Sequence, residues 1–201
     1  MCNRYRAAAI KAGLLPDVFD HRKVKIRWPD ISEEMFPDRV GLVARLDDAG
    51  AMTPDAMRWG FPKVQASVVT NVRNAASRYW TPWLKTEFRC LVPVTAFAEW
   101  GAGPPKGDRW FERADGDVIM FAGIWRPWTG VRGTKAAPVD GEHRLFAFLT
   151  TTPNAVVAPV HPKAMPVVLE RADWDAWLTG DPEEALALQR PASDDVLRLA
   201  A

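Results

Sequence analysis

Arg89-Cys90-Leu91-Val92-Pro93-Val94-Thr95-Ala96-Phe97-Ala98-Glu99-Trp100 is the stretch on which the fold turns. Its apolar and β-branched run reads as a buried β-strand, the strongest in the chain, and it ends on a carboxylate. Downstream, residues 101–107 (GAGPPKG) turn the chain back into 109–113 (RWFER), a hairpin-like return, and Asp115-Gly116 marks another tight turn. Residues 118–128 form a long β segment, 129–142 a polar loop, and 144–152 a further strand ending in three threonines. Upstream, 39–46 alternates as a strand closed by a turn at 47–50, and 67–74 reads as a buried β run with a polar end. Residues 75–88 place apolar and basic side chains at helical spacing, with Pro82 opening a new helix. Short helices are expected at 153–155, 171–178 and 182–189, and an apolar strand at 167–169. The sum is an α+β chain: one domain over residues 2–190, with a curled, mostly antiparallel, barrel-like sheet and peripheral short helices. Residues 191–201 are expected to form a C-terminal tail.

Composition narrows the function classes. The 201 residues are 48% hydrophobic and 25% charged, enough for one well-buried core. No apolar run approaches the ~18–20 residues that cross a bilayer, so a soluble, cytoplasmic protein is expected. Cys2 and Cys90 are the two cysteines, with no CxxC pair, so neither a disulfide framework nor a zinc ribbon is indicated, and no metal or cofactor is expected. A net charge of +1 excludes a uniformly basic nucleic-acid binder but leaves room for a local basic groove. Most of the ten tryptophans belong in the core, with two or three at most left for stacking.

Cys2 follows the initiator methionine, and a small second residue is what methionine aminopeptidases accept. Removal of Met1 would expose a 1,2-aminothiol, whose amine titrates near ~7.7–8.0 and whose thiol near ~8.5 when unperturbed. Such a pair suits capture of an aldehyde, because the amine forms a Schiff base and the thiol closes it to a thiazolidine. Glu99 reads either as a strand-end carboxylate facing water or, flanked by Phe97 and Trp100, as a desolvated general acid. His161, between Val160 and Pro162 in a rigid turn, reads either as structural or as immobilised for proton transfer. His21 and His143 read as solvated.

Taken in order, Cys2, Asn71-x-Arg73, Phe97-Ala98-Glu99-Trp100, and His161 followed by Met165-Pro166-Val167-Val168-Leu169 resemble the SRAP (SOS response-associated peptidase) family. That family includes shields of abasic sites in DNA. The resemblance implies a β-rich fold in which the N-terminal Cys2 lies in a groove for single-stranded DNA and forms a thiazolidine with a ring-opened abasic sugar. It implies that Asn71 orients the α-amine, Arg73 holds a phosphate, Glu99 serves as acid and base in ring opening, and His161 assists the Schiff-base step. From position, Arg4, Arg73, Arg78 and Lys85 are expected to form a phosphate rim, Trp59 to stack on a base, and Thr150 to join the DNA contacts. The expected partner is single-stranded DNA containing abasic sites, met by a monomer. Two rival readings stand beside it: a cysteine peptidase with Cys2 as nucleophile, and a non-catalytic single-strand binding module.

Overall fold

The computed structural model describes residues 2–7, 33–63, 68–104 and 106–200. The expected solvated His21 and the removal of Met1 lie outside the described residues. The strands in chain order are β1 (Arg4–Arg6), β2 (Glu34–Met35), β3 (Val40–Leu46), β4 (Met52–Trp59), β5 (Phe61–Pro62), β6 (Val68–Val69), β7 (Asn71–Val72), β8 (Arg89–Val94) and β9 (Ala96–Gly101). They continue with β10 (Gly107–Arg113), β11 (Ile119–Thr129), β12 (Arg132–Thr134), β13 (Ala137–Val139), β14 (Glu142–Thr151), β15 (Met165–Pro166), β16 (Val168–Leu169) and β17 (Leu197–Leu199). Helices α1 (Trp174–Thr179) and α2 (Pro182–Ala187) follow β16.

Strands β14, β4, β3, β8 and β11 pair in sequence, and β11 pairs back onto β14, closing a five-strand barrel. All these pairings are antiparallel except β14 with β4. A second sheet, in the order β17-β10-β9-β1-β2, is antiparallel throughout. The expected α+β class and barrel-like, mostly antiparallel core are what the chain forms.

Period-two alternation explains why the barrel strands are apolar on both faces. Cys90, Val92 and Val94 of β8, Ile119 and Phe121 of β11, and Phe146 and Phe148 of β14 share one core with Tyr5, Met35, Phe97 and Phe111. Leu91, Met120, Ala122, Ile124, Leu145, Ala147 and Leu149, the alternate residues, face a second core with Trp174, Trp177, Leu178 and Ala185 of the helices. Arg89 holds the two layers together. Its buried guanidinium donates to the carbonyls of Leu84, Trp177 and Gly180 at 2.7, 3.0 and 2.7 Å, while Trp177 Nε1 donates to Cys90 O at 2.9 Å. Those carbonyls include ones left open at the C-terminal end of α1, where a cation is favoured.

Several expected boundaries shift for local reasons. The run 89–100 is two strands rather than one: at Thr95, whose N–H donates to Arg6 O at 2.9 Å, the chain leaves the barrel and enters the second sheet. The helical spacing of 75–88 yields turns and two 3-10 turns, Thr81–Trp83 and Thr86–Phe88, because Pro82 caps a segment too short to propagate a helix. Residues 153–155 lead into turns rather than a helix. The polar loop 129–142 contains the hairpin of β12 and β13. The last residues also pair: Leu197–Leu199 lies antiparallel on β10. Gly41 marks a close approach, since a Cβ there would meet Tyr5 Oη at 2.6 Å and Met35 at 2.9 Å.

Candidate active site

The site forms where the two sheets meet. Strand β1 pairs with β9 in the register Arg4 to Ala98 and Tyr5 to Phe97, which brings the N-terminal residues alongside the segment that carries Glu99. Cys2 is fully buried in the inner core, and its thiol approaches Arg4 O at 3.5 Å. Burial, and after it the negative charge of Glu99, pushes the Cys2 thiol well above its ordinary value. From the barrel side, β7 runs parallel to β14 with Asn71 opposite Phe148. Asn71 Nδ2 donates to Cys2 O at 2.8 Å and to Thr70 Oγ1 at 2.7 Å. Asn71 Oδ1 is buried and has no hydrogen-bond partner among the described residues. The barrel thus holds the N-terminal backbone through one amide and presents a bare acceptor beside it.

Alternation along β9 sets the environment of Glu99. Phe97 and Glu99 share the inward face, and Trp100 points the other way, so Glu99 is 3% exposed and Trp100 61%. Desolvation pushes the Glu99 carboxyl up to about 7. His161 Nε2 stands 3.5 Å from Glu99 Oε2, and Lys163 N donates to His161 Nδ1 at 3.3 Å. With Nδ1 accepting, the neutral ring carries its proton on Nε2, facing the carboxylate. Burial lowers the His161 pKa, so at pH 7 the imidazole is neutral beside a carboxyl that is half protonated. The Nε2–H faces the ionised carboxyl as a hydrogen-bond donor, and Glu99, partly protonated near neutrality, is the member of the pair that takes up or releases a proton.

Outside the pair lies a cleft of about 800 Å³, lined among others by Asn3, Arg4, Phe36, Trp100, Asp108 and Lys163. Arg4 is in this cleft but is already engaged: its guanidinium donates to Glu34 and to Asp108, so a phosphate would have to displace one of them. Trp59 corrects the expectation of a stacking residue. It is 0% exposed, lies flat against Phe146 and Phe148, and its Nε1 donates to Thr70 O at 3.3 Å, supporting the backbone that leads into Asn71. Thr150 is likewise not a surface contact, being 1% exposed under the pairing with Pro166. Arg73 and Arg78 are exposed beyond β7, and Lys85 precedes Thr86, which lines a separate cleft with Trp125 and Asp47; none of the three lines the first cleft. His143 is half-buried against Trp128, with Nε2 at 3.0 Å from Gly130 O, rather than freely solvated.

Phe36, Asp108 and Lys163 line the cleft with no sequence expectation placed on them, and Trp100 lines it although expected only as a neighbour of Glu99. For Trp100 the signal is in the sequence, because a strand that turns Glu99 inward turns its neighbour outward. Phe36 and Asp108 carry no such signal, since only the pairing of β1 with β2 and of β9 with β10 brings them near Arg4. Among the described residues no group of three or more His, Cys, Asp or Glu side chains is placed to hold a metal ion, and no helix is long and apolar enough to cross a membrane.

The family model described as SOS response associated peptidase (SRAP) matches residues 1–201. Two curated proteins, each named abasic site processing protein YoqW, one from Bacillus subtilis and one from Bacillus phage SPbeta, are 26% identical to the chain over 112 residues. The match takes in 53% of this chain and spans about half, 46%, of the length of each relative. Among solved structures, a Bordetella bronchiseptica protein superposes with a TM-score of 0.75 at 22% identity, covering 99% of this chain and 98% of its own. A Bacteroides thetaiotaomicron protein gives 0.69 at 18%, covering 98% and 90%. These two likenesses concern the fold.

Proposed function

The chain belongs to the SRAP family, and from that membership we propose that it processes abasic sites in single-stranded DNA by covalent capture at Cys2 after removal of Met1. The observation that carries the reading is the convergence of Asn71 on the Cys2 carbonyl at 2.8 Å with the Glu99–His161 pair at 3.5 Å beneath one cleft. The names of the two curated relatives support abasic sites as the substrate.

The residues suit successive steps. The closed abasic sugar is a hemiacetal; Glu99 in its acid form donates a proton to the ring oxygen as the anomeric hydroxyl gives one up, releasing the aldehyde. The Cys2 α-amine, oriented by a hydrogen bond to Asn71 Oδ1, adds to the carbonyl carbon to form a carbinolamine. Glu99 protonates its hydroxyl, which leaves as one water, and takes the proton from the nitrogen, leaving an imine, while the His161 Nε2–H holds the carboxylate in place. The Cys2 sulfur then adds to the imine carbon, its proton passes to nitrogen, and a thiazolidine results. Every step conserves electrons, so no redox cofactor enters.

The buried, raised thiol weighs against the peptidase reading, which needs a thiolate at neutral pH as its attacking group. Thiazolidine closure does not, because the imine is the electrophile and the thiol is held next to it. The test is a denaturing gel after incubation with a uracil-excised single-stranded oligonucleotide. A shifted band is expected with the abasic strand and not with the unexcised one; equal bands, or none, would sink the proposal.

Noncovalent binding rests on the cleft's exposed aromatic residues rather than on Trp59. Trp100→Ala is expected to weaken single-strand affinity by about 1–3 kcal/mol, the worth of one base–aromatic stack. Titration of a fluorescent oligonucleotide reads it. Undiminished affinity would place the bases elsewhere.

A further inference from the structure

We propose that residues 189–200 are a strap that positions the site, acting on His161 through Asn154. The proposal rests on the reading of His161 as the residue that assists Glu99 in the Schiff-base step. At its start, Gln189 Nε2 donates to Thr150 O at 2.8 Å and to Arg73 O at 3.0 Å, and Gln189 O accepts from Thr151 Oγ1 at 3.2 Å. One amide therefore bridges the ends of β14 and the segment that carries Asn71. At its far end the strap is β17, seated on β10 of the second sheet, with Val196 O accepting from Ala114 N at 3.0 Å and Ala200 N donating to Trp110 O at 2.8 Å. The strap thus joins the sheet that holds Asn71 to the sheet that holds Glu99.

Between those anchors it crosses the irregular loop 153–163, which ends at His161 and Lys163. Asn154 is 6% exposed and is the contact. Its Nδ2 donates to Ala192 O and Ser193 O at 3.3 and 3.4 Å, and its Oδ1 accepts from Val157 N at 3.1 Å. Val157 O in turn accepts from His161 N at 2.9 Å. Beside it, Ala155 N donates to Asp194 Oδ1 at 2.8 Å. Two hydrogen-bond steps, Asn154 to Val157 and Val157 to His161, connect the strap to the backbone of the imidazole. The strap's hydrogen bonds add to the burial of Val157 and to the bond from Lys163 N in holding the ring within 3.5 Å of a carboxylate on a different sheet. Asn154 and Asp194 are accordingly positioning residues, neither of which lines the cleft.

Two substitutions separate this role from general stability. Asn154→Asp keeps the acceptor for Val157 N but loses the donor to the strap and sets a carboxylate against two carbonyls. Asp194→Ala removes one exposed acceptor and leaves the core untouched. Nitrogen-15 correlation spectra of the His161 ring, recorded against pH, read the effect without any DNA. Wild type is expected to show the Nε2–H tautomer and a pKa below ~6.5, and both variants a mixed tautomer with the pKa moved toward ~6.5, the unperturbed value. Asp194→Asn, which keeps the Oδ1 acceptor, is expected to restore the wild-type titration. In crosslinking, Asn154→Asp should slow capture ~10-fold and Asp194→Ala ~3-fold with single-strand affinity within ~2-fold, the pattern of a displaced group rather than a lost contact. An unchanged His161 ring in Asp194→Ala, or affinity falling as far as rate, would overturn the strap. Absence of any crosslink in wild type would count against the functional reading alone, since the ring titration still decides the strap; should Asn154→Asp not fold, Asp194→Ala decides it.

Discussion

Replacing Cys2 by alanine is expected to abolish the DNA-bound species that survives denaturation, a loss of at least about a hundredfold, while leaving noncovalent binding in place. The α-amine remains in that variant, so it still adds to the aldehyde, but the imine has no thiol to close it and reverses when the protein is denatured. Borohydride should therefore trap a reduced adduct with Cys2→Ala, showing that amine and sulfur act in succession. The cost to the fold is small, about 1 kcal/mol for losing one buried sulfur, so the measurement is not confounded by unfolding. A denaturation-stable band of full intensity from Cys2→Ala would place the bond on another residue and remove the aminothiol from the mechanism.

Glu99→Gln is expected to slow crosslinking by about a hundredfold with DNA affinity changed less than ~2-fold, because it removes the proton donor but keeps the side chain's volume and its hydrogen-bonding carbonyl. The pH dependence carries the sharper signature. The carboxyl is pushed up to about 7, so the acid form needed for ring opening predominates below pH 7 and disappears above it. The amine needs the opposite, being nucleophilic only when deprotonated, which fails as pH drops below its ordinary range near ~7.7–8.0. Wild-type rate should rise and then fall with pH, and in Glu99→Gln the falling limb above pH 7 should vanish while the rising limb remains. A falling limb that survives in Glu99→Gln would assign the acid to another group. Equal losses of rate and affinity would make Glu99 a structural residue.

Much of the fold is legible in the sequence because the barrel strands have no polar face to hide: with helices covering the outside, both alternate sets of residues in β8, β11 and β14 are apolar. What escapes it is where a continuous apolar run changes sheets. Thr95 is the one polar side chain between Arg89 and Glu99, but a single Thr is ordinary within a strand; the break shows only in the pairing, where its N–H meets Arg6 O, a partner 89 residues away in sequence. The helical spacing at 75–88 misleads for a related reason, since Trp80 and Leu84 are buried in the core that the barrel strands and helices share, with Trp80 against Phe61, and not by one face of a helix.

The site divides in the same way. Cys2, Asn71, Glu99 and His161 are visible as short motifs whose chemistry is particular to their residue types, and the structure gathers them at one place. The stacking assignment to Trp59 fails because an aromatic beside a glycine turn looks equally suited to core and surface, whereas its burial depends on Phe146 and Phe148 arriving from β14. Charge is misleading at Arg4 too, where Glu34 and Asp108 come from distant strands to occupy it.

The most direct measurement is the mass of the N-terminal peptide, residues 2–4, released by trypsin and nuclease from protein incubated with abasic single-stranded DNA. The account predicts a peptide that lacks Met1, carries the sugar-phosphate remnant less one water, and gains no hydrogen on borohydride treatment, as a closed thiazolidine requires. A peptide that retains Met1, or a remnant found on any residue other than Cys2, would contradict it.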